Sequence, residues 1–284
     1  MTVSTQTKDA QAIKRQVERL RELPTLPGIV QRIAEALDKQ DANLGDAAAL
    51  IETDQVLTAH LLRLANSAFY GVSGQIGSVI QALTLLGTTI TRSLVYSTTV
   101  LSLRIDMGGF WEHAVGTALA AGALAKHLKL AKPEEVGGAG LLHDIGKVVL
   151  YKQAPDAFAA VLEKAELEGC AFRDAERQLL GIDHAEVASW LLTRWRFPLR
   201  LLEPVAYHHT PGAATVARVE TAVVHVANTL VRAHGYGFGG DRRIPQISPA
   251  AWKLLNLRAI DLDRVVETFD HDLRRAQDLA ATSA

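Results

Sequence analysis

Cysteine is almost absent from this sequence, and its scarcity removes two classes of protein. Cys170 is the only cysteine among 284 residues. A single cysteine allows neither a disulfide framework nor the paired-cysteine spacing of a zinc finger. The residues around Cys170 give no sign of a nucleophile with its base, so we interpret it as a residue without a chemical role.

An excess of charge of either sign is also missing. Lys and Arg together number 30 against 31 Asp and Glu, which gives a formal net charge of -1. A general nucleic-acid binder normally carries a basic excess or a basic stripe. We therefore expect no nucleic-acid partner for this chain, and a nucleic-acid-binding helical protein is the least favoured of three functional hypotheses.

Long apolar runs are the third absence. No stretch of about 18 uncharged apolar residues occurs, so we expect no membrane span and no membrane partner. The first ten residues are polar, include Lys8 and Asp9, and lack the apolar core of a signal peptide. These features predict a soluble, cytoplasmic protein.

The sequence does contain helical periodicity along most of its length. Hydrophobic residues make up 48% of the chain, enough to bury a sizeable core. Apolar residues recur at helical spacing, and no segment alternates like a strand, so we predict an all-α protein of many short helices. The predicted helices cover 11–22, 43–53, 54–65, 78–87, 158–168, 172–180 and 221–233, and others begin near Trp111, Pro133, Asp183, Pro198, Ser248 and Asp261. Ser78 and Asp183 are expected to cap their helices, and the helix from Pro198 is expected to run to His208 and His209.

The stretch from Gly140 to Lys147, GLLHDIGK, is the centre of the pattern. It lies in a predicted helix from about Pro133 to about Tyr151, since proline is tolerated in the first turn of a helix. Interior glycines cost roughly 1 kcal/mol each relative to alanine, which indicates close approach to a neighbouring helix. The side chains of His143 and Asp144 project about 100° apart around the helix axis, so both can contact the same ion or group beside the helix.

Two interpretations of His143 and Asp144 stay open from the residues alone. The pair can be a core histidine satisfied by its neighbouring carboxylate, the commoner situation for an isolated pair. It can also be part of a metal site with other histidines. The octapeptide resembles the signature of the HD superfamily, helical proteins that include metal-dependent phosphohydrolases.

Four further motifs sharpen the resemblance. In order they are LPTLP at 23–27, TDQVLT at 53–58, LRLANS at 62–67 and ALTLLG at 82–87. Together with the octapeptide they resemble the HDOD (HD-related output domain) family of bacterial signal-transduction proteins, over about residues 20–232. The resemblance implies a compact all-α fold: an N-terminal helical subdomain at 10–107, an HD-like helical core at 108–233 and a C-terminal helical extension at 234–284.

Six residues in the second half are candidate metal ligands. Imidazole and carboxylate together suit iron, zinc, manganese or nickel, although the long intervals between these residues do not define a site by themselves. Their order resembles the HD-GYP phosphodiesterase branch, and that resemblance implies that all six bind metal. The six are His113, His143, Asp144, His184, His208 and His209. The other histidines, including His127 and His225, are expected to be structural or exposed.

The same resemblance implies that Lys147 faces a substrate phosphate, which leaves Asp144 and Lys147 as the catalytic candidates. The sequence departs from the catalytic pattern at two places. Asn228 stands where catalytic HD proteins have a last aspartate ligand, and a neutral amide is a weaker ligand. The glutamate and the Gly-Tyr-Pro segment expected after His209 are also missing, and Gly235–Gly240 reads as an irregular, flexible glycine-rich loop rather than a phosphate-binding signature.

The leading hypothesis is therefore a stand-alone HDOD-type regulatory module in bacterial signalling. It would act through contacts with a protein partner and bind metal, if at all, without efficient hydrolysis. The alternative is an active metal-dependent HD phosphohydrolase acting on a nucleotide or a cyclic dinucleotide, supported by the six ligand types and Lys147. The departures at Asn228 and after His209 weigh against the enzyme more than against metal binding.

Overall fold

The computed structural model describes residues 32–33, 35–37, 44–52, 61, 65, 78–87, 91, 95, 107–194 and 197–281. Within these residues every regular element is helical. The helices are α1 (Leu44–Glu52), α2 (79–87), α3 (Phe110–His127), α4 (Pro133–Leu142), α5 (Ile145–Gln153), α6 (Pro155–Glu168), α7 (Phe172–Leu180), α8 (His184–Arg194), α9 (Leu199–Ala206), α10 (Arg218–His234), α11 (Pro249–Leu255) and α12 (Ala259–Ala281). The predicted all-α class is confirmed.

The chain divides into two compact units. One comprises Met1–Arg21 with Arg104–Val266, and the other comprises Glu22–Leu103 with Glu267–Ala284. The subdomain boundaries at 107 and 233 implied by the family resemblance stay a prediction. The predicted helices at 11–22 and 54–65 and the motifs at 23–27, 53–58 and 62–67 lie outside the described residues, apart from single positions.

The unit that includes Glu22–Leu103 confirms two predicted helices. In α1 the buried face carries Ala47 and Ile51, as the apolar spacing indicates. The backbone N–H of Gln81 donates to Oγ of Ser78 at 3.3 Å, so Ser78 caps α2 as predicted. The last residue of α2 is Gly87, whose φ of +75° is the left-handed conformation that ends many helices.

The unit that includes Arg104–Val266 is organised around α3, which packs against α4 and α10. Glycine allows the close approach that the sequence indicates. A Cβ atom at Gly140 would lie 2.8 Å from the carbonyl oxygen of Thr117 on α3. A Cβ atom at Gly146 would lie only 1.9 Å from the carbonyl oxygen of His184 at the start of α8. Two of the interior glycines therefore hold neighbouring backbones in contact.

The prediction of one continuous helix from Pro133 to Tyr151 is wrong, because the helix is interrupted at His143 and Asp144. The first segment, α4, ends at Leu142 and the second, α5, begins at Ile145. The His143 ring donates from Nδ1 to the carbonyl oxygen of Gly140 at 2.7 Å. In an unbroken helix that carbonyl would accept from the N–H of Asp144. The side chain has taken the place of a helical hydrogen bond.

The predicted helix that runs through His208 and His209 is also wrong, since α9 ends at Ala206. Both histidines lie in the turn that follows. The cause is the same, because Nδ1 of His208 donates to the carbonyl oxygen of Val205 at 2.7 Å, which a continuing helix would have used for His209. A histidine side chain thus ends each of the two helices that lead into the candidate site.

The remaining predicted helices that fall on described residues are confirmed with small shifts at their ends. At the start of α8 the N–H of Glu186 donates to Oδ1 of Asp183 at 3.0 Å, and the N–H of Asp183 donates to Oε2 of Glu186 at 3.1 Å. This reciprocal capping fixes the first turn, which begins with His184. Among the described residues, no helix combines the length and the apolar character needed to cross a membrane.

Candidate metal centre

All six predicted ligands come together in one place. They arrive from four points of the chain: α3, the break between α4 and α5, the first residue of α8, and the turn after α9. The side chains of His113, His143, Asp144, His184 and His208 are at most 2% exposed, and His209 is half-buried. The grouping joins residues 96 positions apart, which no local sequence pattern can show.

The carboxylate of Asp144 lies between two groups of imidazoles. Its Oδ2 atom is 3.3 Å from Nε2 of His143 and 3.6 Å from Nε2 of His113. Its Oδ1 atom is 3.1 Å from Nε2 of His184 and 3.8 Å from Nε2 of His208. Asp144 therefore faces both groups, one with each oxygen.

We name the two groups by their residues. The first cluster is His113, His143 and Asp144, and the second cluster is His184, His208 and His209. Within each cluster the candidate ligand atoms lie within 4.8 Å of one another, a spacing at which three side chains can share one ion. The second cluster adds Oδ1 of Asp144 as a possible fourth ligand atom.

The imidazoles of His143 and His208 are oriented by main-chain carbonyls. Each ring directs Nδ1 to a carbonyl oxygen at 2.7 Å, Gly140 for His143 and Val205 for His208. A carbonyl oxygen only accepts, so the proton lies on Nδ1 and the neutral ring presents a lone pair at Nε2. Metal-binding histidines are commonly held by such a bond on their other nitrogen.

His184 is oriented by a buried carboxylate that sequence reasoning missed. Oε2 of Glu176 accepts from Nδ1 of His184 at 2.6 Å and from its backbone N–H at 3.1 Å. Glu176 has no exposed surface, and its Oε1 atom has no hydrogen-bond partner. The sequence does carry one signal for this role: Glu176 falls on the apolar face of α7, eight residues before His184.

Proton affinities follow from this burial. Burial and the neighbouring imidazoles lower the pKa values of His113, His208 and His209 well below the usual value, so these rings are neutral, as metal ligands must be. Burial opposes a charge on His184 too, but the carboxylates of Glu176 and Asp144 outweigh it and raise the pKa to about 9. A cation at Nε2 of His184 must displace that proton.

Asp144 stays ionised in spite of its burial. Burial alone would raise the pKa of this carboxyl group, but His143 and the Lys147 ammonium hold it well below its usual range. A deprotonated carboxylate beside neutral imidazoles is the donor set expected for zinc, iron, manganese or nickel.

Unsatisfied acceptors show that the residues fit a cation. Oδ1 of Asp144 and Nε2 of His208 are buried and make no hydrogen bond. An unsatisfied buried polar atom costs about 1–3 kcal/mol, so several in one place need an explanation. A divalent ion bound between the histidines and Asp144 would satisfy both. The two clusters and their donor types therefore allow a metal site.

The Lys147 side chain points into the centre. Its Nζ atom donates to Oδ2 of Asp144 at 2.6 Å and to the carbonyl oxygen of Gly239 at 2.7 Å, and the residue is 2% exposed. The ammonium group therefore neutralises one oxygen of the central carboxylate. A contact of Lys147 with a substrate phosphate stays a prediction.

Asn228 lies on α10 and is buried, with its Oδ1 atom unpartnered. No hydrogen bond or ion pair among the described residues joins it to the six clustered side chains. Its assignment to the place of a lost aspartate ligand stays a prediction from the family resemblance.

Two further features support the site and were not expected. His225 donates from Nδ1 to the carbonyl oxygen of His208 at 2.7 Å and accepts from the N–H of Ser248 at 2.9 Å, which fixes the turn that carries the paired histidines. The glycine-rich loop packs on the start of α3, where a Cβ atom at Gly237 would lie 2.2 Å from the backbone nitrogen of His113. Sequence reasoning treated His225 as unconnected with the site and the loop as irregular.

Known proteins share this sequence pattern and this fold. The family model for the HDOD domain matches residues 23–211. A protein of Treponema pallidum (strain Nichols) is 27% identical over 221 residues, which cover 76% of this chain and 43% of that protein. This chain thus spans less than half the length of that relative.

Three solved structures are similar. An HDOD domain protein of Geobacter sulfurreducens is 26% identical with a TM-score of 0.74, over 98% of this chain and 99% of that one. A candidate signal transduction protein of Marinobacter aquaeolei VT8 is 24% identical with a TM-score of 0.71, over 98% of this chain and 65% of that one. A candidate metal-dependent phosphohydrolase of Shewanella amazonensis SB2B is 19% identical with a TM-score of 0.64, over 96% and 99%.

At these identities the last two likenesses show the fold alone. The family model, in contrast, covers well over half of the 284 residues and includes the His143–Asp144 break and both paired histidines. The chain belongs to the HDOD domain family.

Proposed function

We propose that this chain is a regulatory HDOD module that binds a divalent metal ion in its buried histidine–aspartate centre. It acts through contacts with a protein partner and does not hydrolyse phosphoesters efficiently. The observation that carries the proposal is the position of Lys147, whose ammonium group is buried against Asp144 and the Gly239 carbonyl oxygen.

Support for a bound metal comes from the unpartnered atoms. Nε2 of His208 and Oδ1 of Asp144 are buried acceptors 3.8 Å apart, and neither atom makes a hydrogen bond. The hydrogen bonds on Nδ1 of His184 and His208 direct both Nε2 atoms inward. A metal bound here would polarise a bound water or a phosphoryl oxygen, and it would also stabilise the fold around the centre.

Three features argue against efficient hydrolysis. Five of the six candidate ligands are at most 2% exposed, so a phosphoester has little access to them. The ammonium group of Lys147 forms an ion pair with Asp144 and so does not face an anionic substrate. An amide at Asn228 supplies one negative charge fewer than the aspartate found in catalytic HD proteins.

A protein partner is proposed from the family and not from a surface. The family resemblance implies bacterial signalling, and the Marinobacter aquaeolei protein with this fold is described as a candidate for signal transduction. A protein that keeps a buried metal centre without a reaction can use the ion to hold the fold in the form that the partner recognises.

The alternative function, metal-dependent phosphohydrolysis, also has an observation in its favour. Asp144 directs one oxygen at each cluster, and a carboxylate between two cation sites is the arrangement found in two-metal phosphoesterases. The Shewanella amazonensis protein with this fold is described as a candidate metal-dependent phosphohydrolase. Activity therefore has to be measured directly.

The test combines elemental analysis with a hydrolysis assay on protein purified without chelator and without a metal-affinity tag. Wild type should carry a divalent metal that a His143→Ala/Asp144→Ala double variant lacks. Neither protein should hydrolyse bis(p-nitrophenyl) phosphate or cyclic dinucleotides. His127→Ala is the matched control, because His127 also lies on α3 but pairs with Asp261, 3.4 Å away.

Each outcome separates the hypotheses. Turnover by wild type that the double variant lacks would establish the phosphohydrolase. Absence of metal from wild type, even after reconstitution, would remove both metal binding and the enzyme. A third variant, Asn228→Asp, should raise the metal affinity if the regulatory hypothesis is right, whereas loss of an existing activity in that variant would favour the enzyme.

A further inference from the structure

The two carboxylate oxygens of Asp144 have unequal partners. Oδ2 accepts from Nζ of Lys147 at 2.6 Å. Oδ1 makes no hydrogen bond, although Nε2 of His184 lies 3.1 Å away. One carboxylate thus offers a neutralised oxygen to the first cluster and an available oxygen to the second.

The first cluster is satisfied from within the protein. Nδ1 of His143 donates to a carbonyl oxygen, which leaves its Nε2 atom as an acceptor. Nε2 of His113 lies 3.2 Å from that atom and can donate to it, so the two imidazoles pair with each other. Lys147 supplies a donor to the carboxylate. Each ligand atom that this cluster would offer to a metal therefore already has a partner.

Lys147 is fixed where it meets the first cluster. Its second hydrogen bond, to the carbonyl oxygen of Gly239, holds the ammonium group from the opposite side at 2.7 Å. The Phe172 ring lies beneath it, with the ring centroid 5.2 Å from Nζ. The loop that supplies Gly239 is itself packed on α3 through a hydrogen bond from the N–H of Phe238 to the carbonyl oxygen of Gly109 at 2.8 Å.

Among the described residues, no lysine donates to the ligand atoms of the second cluster. Nδ1 of His208 donates to a carbonyl oxygen, so Nε2 of that neutral ring is an acceptor, and it has no partner. Nε2 of His184 carries the proton that a cation would displace, and it lies 2.9 Å from Nε2 of His209 and 3.1 Å from Oδ1 of Asp144. A cation in place of that proton would give Nε2 of His208 and Oδ1 of Asp144 a partner as well.

We propose that the Lys147 ammonium group takes the place of a second metal ion, so that the chain binds one divalent ion and not two. The ion is held by His184, His208, His209 and Oδ1 of Asp144. This inference rests on the proposed metal-binding function and adds the number and the position of the ions.

Charge balance supports one ion. Among the described residues, the buried anions in or beside the two clusters are Asp144 and Glu176, and Lys147 already neutralises one of them. A single divalent ion leaves a small excess of positive charge, whereas two would leave a large one in a region shielded from water. Uncompensated buried charge is costly, so the ammonium group and a second ion compete for the same place.

The test is the zinc stoichiometry of the full chain. Wild type, Lys147→Met and Lys152→Met are purified without chelator or metal-affinity tag, saturated with zinc chloride and freed of excess by gel filtration. Wild type should bind one equivalent and Lys147→Met two. Lys152→Met, which removes an exposed lysine from the same helix, should keep one equivalent.

The outcomes separate this inference from the proposed function. Two equivalents in wild type, or a folded Lys147→Met variant that stays at one, would overturn the inference and leave metal binding intact. None in wild type would overturn the proposed function as well. Should Lys147→Met fail to fold, His113→Ala decides the position: it should keep its one equivalent, and loss of the ion would place the metal in the first cluster and refute the proposal.

Discussion

The first and second clusters contain similar residues but differ in what their ligand atoms already bind. In the first cluster Lys147 donates to Asp144, and the imidazoles of His113 and His143 pair with each other. In the second, Nε2 of His208 and the facing Oδ1 of Asp144 have no hydrogen-bond partner. A set of metal-ligand residue types is therefore insufficient to define a metal site, because the readiness to bind depends on the donors that the fold places around each atom.

Both clusters are nevertheless built by one local device. His143 and His208 each donate from Nδ1 to the carbonyl oxygen three residues earlier and so end a helix. The break turns Nε2 inward in both places. What separates the two clusters is the third element: Lys147 reaches the first from α5, and Glu176 on α7 supports the second.

The largest effect is expected from Gly146→Ala, which should separate α5 from α8. The new Cβ atom would lie 1.9 Å from the carbonyl oxygen of His184 and 3.0 Å from the nitrogen of Ala188, both main-chain atoms that cannot rotate away. We expect a loss of more than about 3 kcal/mol in the free energy of unfolding, measured by urea denaturation. Gly138→Ala is the control, since nothing lies within 4 Å of its Cβ position, and it should gain up to about 1 kcal/mol. Equal effects of the two changes would contradict the close packing.

The next largest effect, on the zinc affinity, should distinguish the second cluster from the first. His208→Ala removes a ligand of the second cluster and should weaken zinc binding by more than about 100-fold. His113→Ala removes its counterpart in the first cluster and should change the affinity little. Competition titration against a chromophoric chelator measures both. The reverse order of effects would assign the ion to the first cluster.

A smaller effect is expected where the ligand stays and only its support changes. Glu176→Gln keeps the shape of the side chain but removes the negative charge that orients Nδ1 of His184. The zinc affinity should fall by about 10–100-fold, as is usual when the partner of a metal-binding histidine is altered. Glu166→Gln, an exposed change on α6, should leave the affinity unchanged. An unaltered affinity in Glu176→Gln would show that His184 does not bind the ion.

The smallest effect concerns the stability of the segment between α9 and α10. The Glu203 carboxylate accepts from the N–H groups of Thr215, Val216 and Ala217 at 2.6–3.2 Å. Burial would raise the pKa of Glu203, but these donors, with Ala217 the strongest, keep it below the ordinary value of 4.5. Glu203→Gln should lose about 2 kcal/mol in the free energy of unfolding at neutral pH.

The pH dependence of that loss has a definite sign. Because the pKa of Glu203 is lower in the folded protein than in the unfolded chain, the Glu203 carboxylate stabilises the fold fully above pH 4.5. This stabilisation disappears as the pH falls through the pKa of Glu203 in the folded protein. The difference between wild type and Glu203→Gln should therefore shrink in acid. Glu163→Gln, an exposed change, should show no difference at any pH. A gap that widens in acid would contradict this role for Glu203.

The sequence predicted much of this fold because helical periodicity and caps act over a few residues. The apolar faces of α1 and α2, the cap at Asp183 and the close helix approach indicated by the glycines of the GLLHDIGK segment could all be predicted from neighbouring residues. The breaks at His143 and His208 were not, because a side chain there takes a carbonyl oxygen from the backbone.

The candidate site was predictable as a set of residues but not as an arrangement. The family resemblance named all six side chains that the structure brings together. Their division into two clusters, the inward turn of Lys147 and the support from Glu176 and His225 depend on contacts between helices far apart in the sequence. Contacts between distant segments produce no regular residue spacing, so a single sequence does not predict them.

The most direct test of the account is an anomalous difference map from crystals of the zinc-loaded protein, recorded at the zinc absorption edge. We expect one peak, between the Nε2 atoms of the second cluster and next to Oδ1 of Asp144. Two peaks, a single peak beside His113 and His143, or no peak in the centre would contradict it.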